Sequence, residues 1–127
     1  MNTLTLSAAD VQSEQRFQTL FEQAPFSAQR LAVDGRTLQV NRAWQDFWGT
    51  HAGDPLHEFV LSGHNMLSDP QLEAKGVTPY LRRAFAGEDV RIPAIHYDPA
   101  EIGQPGLARW VEAMARPITT PTDASPR

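Results

Sequence analysis

Apolar residues recur through the first part of the chain at a spacing that brings them together only on a helix. Val11, Phe17, Leu20, Phe21 and Ala24 form a stripe that stops before Pro25, and Ser7 with Asp10 three residues on makes a capping-box start. The spacing predicts an amphipathic helix over residues 8–23. The pattern then shortens to partial alternation. "FSAQRLAV" and "RTLQV" flank Asp34-Gly35, a dipeptide that tolerates positive φ, so the stretch reads as a β-hairpin. Directly after it, "NRAWQDFWG" places Ala43, Trp44, Phe47 and Trp48 at near-helical spacing between a capping Asn41 and a terminating Gly49. Burial of each large aromatic side chain is worth about 1.5–3 kcal/mol, so this short helix is expected to be pinned to something apolar.

From Thr50 to Gly76 the pattern breaks at Gly53, Pro55, Gly63 and Pro70, which predicts one or two short helical turns. Order returns at "TPYLRRAFAG", where Thr78 is placed to cap, Pro79 to open and Gly87 to stop a helix. Its buried side is Tyr80, Leu81, Ala84 and Phe85, and Arg82 and Arg83 suit its C-terminal end. Residues 89–97 read as a strand that Pro93 confines to a sheet edge. After the turn "DPAEIGQPG", "LARWVEAMARPI" reads as a longer strand with Trp110, Glu112 and Met114 on one face and Val111, Ala113 and Ala115 on the other. Both faces are partly apolar, so both are expected to be covered. The tail "TTPTDASPR" is linker-like.

Composition narrows the function classes. A chain of 127 residues suffices for one domain with a core, and 41% apolar with 20% charged residues is globular. A net charge of -4 without a basic run argues against nucleic acid. No apolar run is long enough to span a bilayer, and "MNTLTLSAAD" lacks the basic start of a signal peptide, so a cytoplasmic location without membrane insertion is expected. The absence of cysteine removes thiolate nucleophiles, covalent flavin adducts and thioester-linked chromophores.

The order of elements and the wording of three segments resemble a PAS domain, the sensory module of bacterial signalling proteins such as histidine kinases. The segments are "FQTLFEQAPFSAQRLAVDGRTLQVNRAWQDFWG", "NMLSDPQLEAKGVTPYLRRAFAG", and "IPAIHYDP" with "ARWVEAMARPI", together covering residues 16–118. The resemblance implies an α+β fold: an antiparallel sheet of order B-A-I-H-G, helices over one face, and a flanking N-terminal helix. On that reading residues 1–24 are the flanking helix, 25–118 the core and 119–127 the tail. The final, central strand is missing from the sequence pattern. Either the chain is a piece of a longer sensor, or the place is taken by the alternating "TLTL" of residues 3–6, by a segment of a second copy, or by an irregular return of "ITTPTDAS".

Candidate chemistry is sparse. His57-Glu58 begins like a zinc-protease helix, but Leu61 stands where the second ligand belongs, so no metal site is expected. The helix at 79–86 offers no axial His, which leaves only His64 and His96 as remote haem ligands and makes haem an unfavoured cofactor. A noncovalent flavin or a small apolar ligand remains. Its candidate pocket residues are Trp44, Phe47, Trp48, Phe59, His64, Tyr80, Phe85, Trp110 and Met114, which would equally serve as core. Arg30 and Glu112 fall within predicted strands, and either would need a partner if it pointed inward. Phe17, Leu20 and Phe21 are the candidate dimerisation stripe, and a homodimer is expected. The expected function is a sensory and interaction module, without catalytic residues, that acts on the output domain of a larger protein in a two-component system. The other readings are a small-ligand α+β enzyme, which needs a buried acid or base beside a pocket, and a ligand-free dimerisation module.

Overall fold

The computed structural model describes residues 8–117, with side chains from Gln15 onward. Expectations for residues 3–6 and 119–127, and for the side chain of Val11, lie outside the described residues. Helix α1 (Ala8–Gln23) precedes an antiparallel hairpin of β1 (Gln29–Leu31) and β2 (Thr37–Val40), in which Gln29 pairs with Val40 and Arg30 with Gln39. The Asp34-Gly35 turn forms as the sequence predicts, with Gly35 at φ 97°. Asn65 closes on it from afar: its Nδ2 donates to Asp34 O at 2.8 Å, and a Cβ on Gly35 would stand 2.3 Å from its Oδ1. Helix α2 (Arg42–Trp48) is capped by Asn41, whose Oδ1 accepts from Trp44 N, and ends at Gly49 with φ 66°.

The first hairpin has two different faces. Val40 joins Trp44, Leu56 and Val60 in one core cluster beneath the helices, with Trp48 against it. On the opposite face Arg30 lies over the Phe17 ring at 5.0 Å, and Gln39 donates to Gln18 of α1 at 2.7 Å. Arg30 therefore points outward beneath α1, where Gln39 Oε1 accepts from it at 3.0 Å.

The segment expected to hold one or two turns is more regular than its pattern suggests. It forms α3 (Pro55–Ser62), a 3-10 turn at Met66–Ser68 and α4 (Pro70–Ala74). Pro55 and Pro70, which read as breaks in the pattern, instead open α3 and α4. Helix α5 (Thr78–Phe85) starts one residue earlier than expected. Val77 is its N-cap, and among the described residues no side chain caps it and Thr78 Oγ1 is buried without a partner, so the backbone carbonyl of Val77 closes the first turn.

Strands β3 (Val90–Tyr97) and β4 (Arg109–Ala115) form the second hairpin, joined through a 3-10 turn at Pro99–Ile102. Among the described residues strand β3 pairs with β4 alone, and its register slips between Ile92 and Ile95, around the edge-confined Pro93. Ile92 belongs to the second core cluster with Leu72, Val77 and Leu81, against which Ile95, Tyr97 and Ala115 pack. The expectation that β4 is covered on both faces fails. Trp110 is 70% exposed and Met114 51%, because the helices lie on the other side and α1 leans on the first hairpin. Glu112 shares that bare face and pairs with Arg91 at 3.6 Å.

The fold is thus α+β with antiparallel strands, as the sequence implies. Among the described residues no ladder joins the two hairpins, so the slot left by the missing final strand is bridged by no backbone pairing. Trp48 and Tyr97, with ring centroids 5.8 Å apart, bridge the two cores instead. Among the described residues no helix is long and apolar enough to cross a membrane.

Candidate functional site

The most concentrated polar chemistry lies where α3, α4 and β3 converge. Asp69 follows the 3-10 turn and caps α4, with its Oδ1 accepting from Gln71 N at 2.8 Å and Leu72 N at 3.1 Å. "SDP" carries the local signal for this, an N-cap residue before a proline at the first helical position. The second oxygen, Oδ2, meets His64 Nε2 at 2.6 Å and accepts from Tyr97 Oη at 2.5 Å. The Asp69 side chain has no exposed surface, and that of His64 is 8% exposed. Burial alone would raise the Asp69 carboxyl, but the bonds from His64, Tyr97 and Leu72 N–H outweigh it and hold it below its usual value. Burial, reinforced by the Asp69 charge, pushes the Tyr97 hydroxyl up, so it stays protonated and donates.

An open cleft of about 280 Å³ adjoins this cluster. Phe59, Pro70 and Ile102 give it apolar walls, His64 forms part of its floor, and Asn65 and Ser68 stand at its rim. Phe59 and His64 lie against each other with ring centroids 5.8 Å apart. His64 Nδ1 is buried and has no hydrogen-bond partner among the described residues.

Two further polar ties hold β3 to the helices. Gln71 Nε2 donates to Asp98 O at 2.9 Å and Gln71 Oε1 accepts from Asp98 N at 2.8 Å, so a buried amide takes the place of a neighbouring strand. Lys75 Nζ donates to Gln71 Oε1 and to His96 O.

The residues expected to line one pocket are scattered. Trp44 is buried and donates its Nε1 to Gln29 Oε1 at 3.2 Å. Phe47 lies under the Arg109 guanidinium at 5.1 Å, with Trp48 edge-on to it. Tyr80 packs on the second cluster beneath Arg83, and Phe85 is 36% exposed. Trp110 lies edge-on to His96 on the bare outer face, where Met114 also stands, so neither reaches the interior. Only Phe59 and His64 of that set meet at the cleft. On α1, Phe17 and Phe21 stack on each other and are half-buried, leaving Leu20 exposed. Asp69, Gln71 and the role of Tyr97 were not legible as a site, because their partners lie across the fold rather than along the chain.

Among the described residues no group of three or more His, Cys, Asp or Glu could hold a metal ion. His57 and Glu58, which open the rejected zinc pattern, instead pair at 3.3 Å, with His57 edge-on to Trp44. A family model described as PAS domain matches residues 15–78, half of the chain. The match runs from α1 into the start of α5, so it includes His64 and Asp69 and stops before Tyr97. No curated protein and no solved structure matches.

Proposed function

The chain belongs to the PAS domain family, and from that premise we propose that it is the sensory and interaction module of a larger bacterial signal-transduction protein. It works without catalysis, in the cytoplasm of a two-component system, by coupling a bound small molecule to the sheet and so to an output domain. The observation that carries this reading is Asp69, which ties the helical layer through His64 to the end of β3 through Tyr97 by two short hydrogen bonds. An event at the cleft has a path of rigid contacts to the strand.

The cleft favours a small apolar ligand over a flavin, since about 280 Å³ falls below the usual range of about 300–1,000 Å³ for cofactor pockets. Haem is disfavoured: a cleft of about 280 Å³ is too small to enclose the macrocycle beside His64, and His96 lies against Trp110 on the outer face. The enzyme reading asks for a buried acid or base beside a cleft, and Asp69 stands in that position. Its oxygens already accept from two backbone N–H groups, His64 and Tyr97, which leaves no lone pair for a substrate proton. Self-association as a homodimer through Leu20 of α1 and the exposed Trp110 face completes the proposal.

An absorbance spectrum together with the native mass of the purified chain tests it. A bound small molecule or a dimer is expected, with no visible haem band. A bare monomer of 14.1 kDa at every concentration would overturn both the sensing and the association.

A further inference from the structure

We propose that the cleft beside His64 takes a small ring-shaped ligand bearing one hydrogen-bond donor, a phenol or an indole by class, and that His64 Nδ1 receives that donor. The inference deepens the sensory reading and rests on it for its biological meaning. It starts from the tautomer. An ionised carboxylate only accepts, so the imidazole nitrogen facing Asp69 Oδ2 at 2.6 Å carries the proton. In the neutral ring Nδ1 is then a lone pair, and it is buried without a partner among the described residues. A buried acceptor left unpaired is unfavourable, and a donor brought by a ligand relieves it.

The surroundings set the rest of the ligand. Phe59, Pro70 and Ile102 offer flat apolar contact, and about 280 Å³ accommodates a single substituted ring. Among the described residues no Lys or Arg lines the cleft, so a carboxylate or phosphate finds no counter-charge from them there. The rim amide is already used: Asn65 donates to Asp34 O and accepts from Leu67 N. The exposed Ser68 hydroxyl donates to Asn65 O at 3.4 Å, and among the described side chains that line the cleft His64 Nδ1 is the buried polar atom left without a partner. This nitrogen is closed to solvent and the half-exposed Phe59 ring lies beside the imidazole, so admission of the donor requires that ring to turn aside. Once bonded at Nδ1, the imidazole donates more strongly to Asp69, which also holds the Tyr97 hydroxyl at the end of β3.

The test is a titration of the full isotope-labelled chain with phenol, and with toluene as its donor-free match, read by NMR. Phenol is expected to shift Phe59, His64 and Tyr97 saturably and to bind about tenfold tighter than toluene, the worth of one net hydrogen bond. The His64 Nδ1 nitrogen resonance should begin as an unprotonated nitrogen and move with phenol but not with toluene. His64→Phe should equalise the two ligands. If that variant does not fold, the nitrogen resonance of the unaltered protein decides alone. Absence of saturable shifts, equal affinities for phenol and toluene, or a protonated Nδ1 at neutral pH would each overturn the proposal. Such a failure is distinguishable from failure of the sensory reading, which the native mass and spectrum test without phenol.

Discussion

The two hairpins are built from similar sequence patterns and held by different means. In the first, strands of only 3 and 4 residues are contacted on both faces, by α1 outside and by Trp44, Leu56 and Val60 inside, although Leu38 stays 50% exposed. In the second, strands of 8 and 7 residues have one face bare, with Trp110 70% exposed. The short hairpin is fixed by Asn41, a residue with no exposed surface. It bonds Ala28 N, Trp44 N, Phe21 O and Phe26 O, tying helix, strand and helix at one point. The long hairpin is fixed at its far end by Asp69 on Tyr97 and Gln71 on Asp98. A covered hairpin needs one local device. A half-covered one needs tethers to the helices.

The sharpest way to break that contrast is at the tether of the long hairpin. Asp69→Asn keeps the shape but leaves His64 and Tyr97 facing an amide nitrogen, and loss of one partner of a buried charged cluster costs about 3–5 kcal/mol. Urea unfolding is expected to show a loss of about that size. The acid limb of the stability profile should change too. Because Asp69 is held below its usual value when folded, its stabilisation is complete above the ordinary carboxyl pKa of about 3.9 and fades as pH falls through the lower folded value. The variant should lose that part of the slope. A loss under 1 kcal/mol with an unchanged acid limb would show the tether to be incidental.

Asn41→Ala is the matching test on the short hairpin. It removes an N-cap, worth about 1 kcal/mol, and strands further backbone groups, so a loss of about 3 kcal/mol is expected in the same urea measurement. Hydrogen exchange should then open α1 and β1 before β3. Uniform opening instead would mean that the two hairpins unfold as one unit.

These two residues also show how far the sequence speaks for the fold. Asn41 was readable because its position before a helical aromatic run is a local signal, and Asp34-Gly35 announced its turn for the same reason. Its reach to Phe21 O and Phe26 O was not readable, since the spacing of those groups reflects tertiary packing. Asp69 lay in a stretch whose prolines read as interruptions, although each one opens a helix. Its partner Tyr97 is 28 residues away, a pairing that no periodicity encodes. The same reason scattered the expected pocket. Helical spacing placed Trp44, Phe59 and Tyr80 on apolar sides without saying which side faces which cluster, and strand alternation could not say which face of β4 would be covered.

The α1 cover is a smaller term in the comparison. Phe21 is half-buried, stacked on Phe17 with centroids 6.2 Å apart. Phe21→Glu puts a charge against that ring and the first hairpin, with an expected loss of about 1–2 kcal/mol. If neither melting temperature nor mass changes, α1 does not cover the first hairpin in solution.

The smallest expected effect falls on the bare face. Among the described residues Trp110 has one ring neighbour, His96, with centroids 5.4 Å apart, and it is 70% exposed. Threonine retains β propensity at an exposed strand position, so Trp110→Thr should change the stability of the isolated chain by no more than ~0.5 kcal/mol. Its consequence belongs to association. If a second copy covers this face, the variant should dissociate the dimer in sedimentation while each chain stays as resistant to urea as before. Dilution separates the cases, because a folding contribution is independent of concentration and an interface contribution is not. A loss of 2 kcal/mol or more that persists on dilution to monomer would mean that the outer face of the second hairpin is buried within its own chain. The contrast between a covered and a half-covered hairpin would then collapse, and with it the reason the long hairpin needs Asp69.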